Sequence, residues 1–243
     1  MRWFARHGLR VLMYHRVAPS GGDALTVTRA QLEWQLDWLR GQGSMFVTLA
    51  QTVAAAESGW SGLPGNPVLV TFDDAYLDTW ELARPALAAR GIPAVVFVPT
   101  SFVGGISAWE SRPAPLMDAA KLRALAAEGW ELGLHSHAHR DFRKEPAGRI
   151  RDDMRRCAEE FARLGLPAAP GFAFPYGGRP RGAEERAALR EAFREAGVRM
   201  AFRIGNRVNC MPGADPLELN RIGPRGDRGR WHFQRHVWWG RLP

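Results

Sequence analysis

The 243-residue sequence predicts an α/β chain wound as a seven-stranded parallel barrel, and three observations carry that expectation. Short apolar runs alternate with longer stretches of helical period, the pattern of strands that cross over through helices into a parallel sheet. Seven such runs occur, which favours a closed barrel over an open sheet. Helical stretches end on Gly91, Gly129, Gly165 and Gly197, each just ahead of the next strand, where a left-handed cap is wanted. A chain this long, 46% hydrophobic and 24% charged, buries a core as one domain over 1–243 without a disulfide or structural metal, so any metal would serve chemistry.

In chain order, Val11 to Tyr14 opens the barrel. Thr28 to Arg40 follows as a helix with Leu32, Leu36 and Leu39 on one face beside Trp34 and Trp38, and Leu49 to Ser58 is a second helix. Pro64-Gly65-Asn66-Pro67 turns into the strand Val68 to Phe72. The remaining strands are Ala94 to Val98, Trp130 to Leu134, Gly171 to Phe174, Arg199 to Ile204 and Leu219 to Ile222. Helices over Thr79 to Arg90, Leu116 to Glu128, Ala147 to Leu164 and Ala183 to Ala196 separate them. The tail, 225–243, is dense in Arg, Trp and His and is expected to be only partly ordered.

Functional groups in a parallel barrel gather where strands exit, because those loops open on one face. Val68 to Phe72 leaves into Asp73-Asp74, Trp130 to Leu134 into His135-Ser136-His137-Ala138-His139, Gly171 to Phe174 into Pro175-Tyr176-Gly177, and Val11 to Tyr14 into His15. His135 and His139 reach one ion from a tight loop, and one carboxylate completes a three-ligand set with open positions. The second carboxylate is then free to act as a base. Alone, Asp73-Asp74 would read as a helix cap, Pro175 to Gly177 as a turn and His15 as a core histidine; three histidines within five residues are harder to assign to a surface turn.

Together these segments resemble the polysaccharide deacetylase family, the NodB-homology or carbohydrate esterase 4 group. Thr71-Phe72-Asp73-Asp74 is similar to its first motif, His135-Ser136-His137-Ala138-His139 to its second and Phe174-Pro175-Tyr176-Gly177 to the core of its third. Leu12-Met13-Tyr14-His15-Arg16-Val17 resembles the opening of a subgroup whose motifs look circularly permuted. The resemblance spans about Val11 to Ile222. It implies a distorted (β/α)7 TIM-like barrel that hydrolyses N-acetyl groups from an amino-sugar glycan. Asp74, His135 and His139 would bind the metal, commonly zinc, with nickel and cobalt also used. Asp73 would be the base for the attacking water, and the backbone N–H of Tyr176 would stabilise the oxyanion. Pro175 of the same turn would line the substrate site. Trp80 and Trp109 are candidate stacking platforms, because an apolar pyranose face packs on an aromatic plane, with core packing the other reading of each. The family's motif arginine is replaced by Ala173, and Arg221 at the last strand exit is the candidate substitute partner for Asp73. Ala75 stands where the family has glycine, and no Leu-x-x-x-His segment lies near the carboxyl end. The resemblance to the permuted subgroup implies that His15, from the first strand, takes that place and protonates the leaving amine. The alternatives are a deacylase of a non-sugar ester or amide on the same site, and an impaired glycan-binding homologue.

The net charge of +8 is almost wholly arginine, Lys121 and Lys144 being the only lysines. These arginines are dispersed among acids, as in Arg151-Asp152-Asp153, which argues against a nucleic-acid partner. The basic aromatic tail is instead the candidate for peripheral membrane contact. Cys157 and Cys210 form no framework, the apolar run after the basic start stops at His15, and the expected location is the cytoplasm.

Overall fold

The computed structural model describes residues 8–240; the basic start at 1–7 and Arg241 of the tail lie outside them. Each of the seven apolar runs becomes a barrel strand: β1 (Gly8–Tyr14), β2 (Pro67–Phe72), β3 (Val95–Val98), β4 (Glu131–Leu134), β5 (Ala168–Ala173), β6 (Met200–Ile204) and β7 (Leu219–Arg221). They pair in parallel in that order. The ring closes just past β7, where Ile222 N donates to Val11 O at 2.8 Å and Met13 N donates to Ile222 O at 2.9 Å.

The period of two along each strand sorts the side chains. Val68, Val70 and Phe72 pack outward against helices, whereas Leu69 joins Leu9, Val11, Val95, Phe97, Ala173, Met200, Phe202 and Leu219 inside the barrel. Continuing the alternation past Leu69 and Thr71 brings Asp73 to the inner face, and stepping on from Leu219 brings Arg221 there too. Gly133 makes room for this interior, since a Cβ on it would stand 2.4 Å from the Phe97 ring.

The outer layer follows the expected helices with three instructive differences. Helix α1 (Arg29–Gly41) starts from a capping box between Thr28 and Gln31. Helix α2 (Leu49–Glu57) is not a flanking crossover but a floor. A short strand, Met45–Phe46, pairs with the start of β2, and Val47, Leu49 and Val53 then plug the inner core. Glu131 at the foot of β4 accepts the N–H groups of Leu49 and Ala50 at 2.6 and 2.8 Å, a carboxylate at a helix N-terminus. The stretch expected as one helix from Thr79 begins as a π-helical turn, Thr79–Ala83, and becomes α-helical only at α3 (Arg84–Ala88), beside Pro85, which has no N–H to donate. Helix α4 (Ala119–Ala127) starts later than expected because Met117 N is used elsewhere, donating to Ala75 O at 2.8 Å, and Asp118 takes the N-cap. Helices α5 (Ala147–Arg163) and α6 (Ala183–Glu195) complete the expected set.

The described part of the tail, 225–240, is more ordered than expected. It forms α7 (Arg230–Trp239), and its Phe233 and Val237, one turn apart, are buried. Phe233 packs edge-on against Trp34 and Trp38 of α1, at 5.8 Å from each. That contact makes α7 the outer helix that follows β7, with Trp231 and Trp239 left exposed. No helix of the described residues is long and apolar enough to cross a membrane. Many helix arginines pair locally, such as Arg155 with Asp152 and Glu159, and Arg194 with Glu191. Cys157 is buried and Cys210 exposed, both free.

Candidate metal centre and catalytic pocket

The exits of β1, β2, β4, β5 and β7 meet at one mouth of the barrel. Asp74 turns away from the strand with φ of 70°, followed by Ala75 at 58°. Ser136 (66°), His139 (50°) and Tyr176 (56°) share this left-handed region, which is unfavourable for residues with a Cβ. Five of the eight non-glycine positive-φ positions among the described residues therefore sit at this mouth. Strain concentrated in that way is characteristic of a site whose geometry is fixed by its surroundings.

Asp74, His135 and His139 are all buried, and their ligand atoms converge. His135 Nε2 and His139 Nε2 stand 3.2 and 3.1 Å from Asp74 Oδ1, which has no hydrogen-bond partner. The tautomer of His135 follows from its other nitrogen: Nδ1 lies 2.7 Å from Ala173 O, a carbonyl that can only accept, so Nδ1 carries a proton and in the neutral ring Nε2 presents a lone pair. A carboxylate oxygen and a histidine lone pair facing each other in a dry pocket repel unless a cation lies between them. Donor atoms each about 2.1 Å from one ion stand about 3 to 3.4 Å apart, the separation of Asp74 Oδ1 from each histidine nitrogen. The residues fit a divalent ion with nitrogen and oxygen ligands. Burial would push Asp74 up, but the two histidines hold it well below the usual carboxylate range. Burial also keeps His139 below the ordinary histidine value despite the pull of Asp74, whereas Asp73 and Asp74 draw His135 upward against its burial.

Asp73 occupies the next position with a different partner. Arg221 reaches it from β7 in a two-pronged contact, Nη1 to Oδ1 and Nη2 to Oδ2, both at 2.6 Å, with the arginine fully buried and Asp73 2% exposed. Burial alone would raise Asp73; the guanidinium, with His135 and His15, holds it below the usual range and keeps it ionised. Ala173, at the place of the family's motif arginine, lies buried in the barrel interior and its carbonyl supports His135. His15, between β1 and the short strand Arg16–Ala18, brings Nε2 to 3.8 Å from Asp73 Oδ2.

The aromatic residues divide. Trp109 stacks on His139 with ring centroids 4.0 Å apart, and the half-exposed Tyr176 meets the same imidazole edge-on at 4.8 Å. Pro175 is buried beneath that turn. Trp80 does not join them as a sugar platform: it packs against the main core, the other reading of this residue, and carries the Arg84 guanidinium 4.0 Å above its ring.

Two carboxylates that matter here escape the sequence reading. Asp153 of α5 is buried and accepts the consecutive N–H groups of His137 and Ala138 at 2.9 and 3.0 Å, bracing the turn between the two histidine donors. In the sequence it stands beside Asp152 within Arg151-Asp152-Asp153. Its signal was its place on the buried stripe of the helix with Ile150 and Cys157, where an acid is out of character. His137 itself turns aside to Thr100 Oγ1 at 2.9 Å. Removing the brace in Asp153→Ala is expected to weaken metal binding by about 10- to 100-fold, read by competition with a chromophoric chelator. A lowered melting temperature with unchanged affinity would confine Asp153 to the fold. The second overlooked carboxylate is Asp78, which bonds Arg16 Nε and Val17 N, both at 3.1 Å.

Residues 61–201 match the family model described as polysaccharide deacetylase. A poly-β-1,6-N-acetyl-D-glucosamine N-deacetylase of Staphylococcus aureus is 24% identical over 161 residues, covering 63% of this chain and 54% of that protein. The chain spans about half or less of the length of the first curated relatives it matches. Among solved structures, IcaB from Ammonifex degensii is 28% identical with a TM-score of 0.77, covering 96% of this chain and 97% of that one. A de-N-acetylase from Aggregatibacter actinomycetemcomitans, 20% identical, shares the fold with a TM-score of 0.77 over 94% and 99% of the two chains.

Proposed function

The chain belongs to the polysaccharide deacetylase family, and from that premise we propose that it removes N-acetyl groups from an amino-sugar polymer of the poly-β-1,6-N-acetyl-D-glucosamine class by divalent-metal-dependent hydrolysis. The observation that carries the reading is the pair of adjacent aspartates with opposite partners. Asp74 faces two histidine nitrogens, and Asp73 is locked by Arg221.

Asp74, His135 and His139 would hold the ion, Zn2+ before Ni2+ or Co2+. When bound, it supplies Lewis acidity to the acetyl carbonyl and to the attacking water. Asp73 takes a proton from that water. Arg221 occupies both of its oxygens in the plane, which keeps the carboxylate ionised and fixes its direction. His15, whose Nε2 stands 3.8 Å from the Oδ2 of the same side chain, hands a proton to the amine as the carbon–nitrogen bond breaks. The Tyr176 N–H, on the left-handed turn after β5, donates to the oxygen that gains charge. Trp109 and Tyr176 wall the pocket on either side of His139, so a pyranose face packs against aromatic carbon while its hydroxyls reach solvent.

The reading is tested by acetate release from β-1,6-linked N-acetylglucosamine oligomers. Stripping the protein with a chelator is expected to abolish release, and one equivalent of Zn2+, Co2+ or Ni2+ to restore it. Undiminished release from the stripped protein would overturn metal dependence. Release confined to O-acetylated xylan would move the substrate to esters.

A further inference from the structure

His15 is the least tethered member of the site. Its Nε2 lies 3.8 Å from Asp73, beyond hydrogen-bond reach, so that contact does not fix the ring. Its placement is inherited from the backbone on either side. On one side Asp73 N donates to Tyr14 O at 2.9 Å. On the other, Asp78 Oδ1 accepts Val17 N and Asp78 Oδ2 accepts Arg16 Nε, each at 3.1 Å. Arg16 is held in turn over the buried Tyr76 ring at 5.5 Å. The turn that carries Asp73 and Asp74 thus also grips both flanks of His15, through a carboxylate five positions beyond the base.

We propose that Asp78 is a positioning residue for His15, clamping the chain between β1 and the strand Arg16–Ala18 so that the imidazole stands against Asp73. The clamp suits its task. One carboxylate oxygen takes a backbone N–H, which fixes the main chain, and the other takes a guanidinium, which fixes the neighbouring side chain. Burial raises the Asp78 carboxyl to about 6, so at neutral pH it is still ionised and accepts both bonds. The two anchored residues follow His15 directly, so losing the grip loosens the link at His15 while β1 and the pairing of Arg16–Ala18 with Thr26–Thr28, including Arg16 N to Leu25 O at 3.2 Å, stay in place. A misplacement of about 1 Å at a reacting group costs on the order of 100-fold in rate.

The inference rests on the proton-donor role proposed for His15, and the experiment separates the two. Turnover is measured on metal-loaded protein for His15→Ala, Asp78→Ala, Asp78→Asn and the double variant His15→Ala/Asp78→Ala. Asp78→Ala is expected to lower kcat about 10- to 100-fold with KM and metal content unchanged. Asp78→Asn, which keeps an oxygen for Val17 N, should fall between it and the parent. In the His15→Ala background the Asp78→Ala loss is expected to vanish. Equal losses in both backgrounds, or loss of metal in Asp78→Ala, would overturn the proposal. An unchanged kcat in His15→Ala would overturn it together with the role of His15, leaving metal-dependent deacetylation standing. A crystal structure of Asp78→Ala gives a readout independent of any substrate: His15 Nε2 is expected to leave its place beside Asp73, and an unmoved imidazole refutes the clamp.

Discussion

Asp73→Asn is expected to lower kcat for acetate release by about a thousandfold while the protein still binds one equivalent of metal. Asparagine keeps the shape of the side chain and an oxygen for one guanidinium bond, but it cannot take a proton from water. The ligand trio Asp74, His135 and His139 is untouched by the change, so metal content separates loss of the base from loss of the site. The variant also carries a stability cost with its own signature. Arg221 is fully buried, and without the carboxylate its charge loses its counter-ion. Melting temperature should therefore fall alongside activity. An undiminished rate would remove Asp73 from the mechanism.

Arg221→Met is expected to destabilise the fold by about 3–5 kcal/mol, because breaking a buried ion pair leaves a charge uncompensated. In a chain of this size that corresponds to roughly 10 °C in Tm. The pH dependence gives the sign. With Arg221 present, Asp73 titrates below its unfolded value, so the pair's contribution is full above the ordinary carboxylate range and is lost as pH falls through the folded value. Without Arg221, burial is left to raise the carboxyl, and the deficit becomes largest near neutral pH and shrinks toward pH 4 as the group is protonated. The acid limb of the activity profile should move upward with it. Adding Asp73→Asn to Arg221→Met removes the orphaned charge and should recover much of the Tm without restoring turnover, a coupling readable in a double-mutant cycle.

The barrel was legible because its strands are buried and the first of them read as near-continuous apolar runs, as in Val11 to Tyr14, Val68 to Phe72 and Ala94 to Val98. The metal donors were legible because chemistry sits where such runs end. What escaped shares one property: its meaning lies in contacts distant in sequence. Asp153 looks like its neighbour Asp152, yet one accepts the amides of the histidine turn and the other pairs with exposed arginines. Helix α7 lacks a wide apolar stripe; two buried side chains suffice because Trp34 and Trp38 offer a surface already built by α1. Trp80 lies close to Asp74 along the chain, but the π-helical turn carries it to Arg84. The floor made by α2 is invisible to periodicity, since a helix that plugs a barrel and one that flanks it bury a face of the same kind.

The contact between Asp73 and Arg221 spans 148 residues. A chain emerging in order from its amino end completes β2 early and exposes two neighbouring carboxylates long before their arginine exists. Only the docking of the last strand, which also closes the ring through Ile222 and Leu12, supplies the counter-charge. Loop-closure entropy for so long a separation must be met before that pair can form. Chemical competence is consequently a property of the finished barrel, and acetate release during refolding would report the final closure of the ring rather than the appearance of secondary structure.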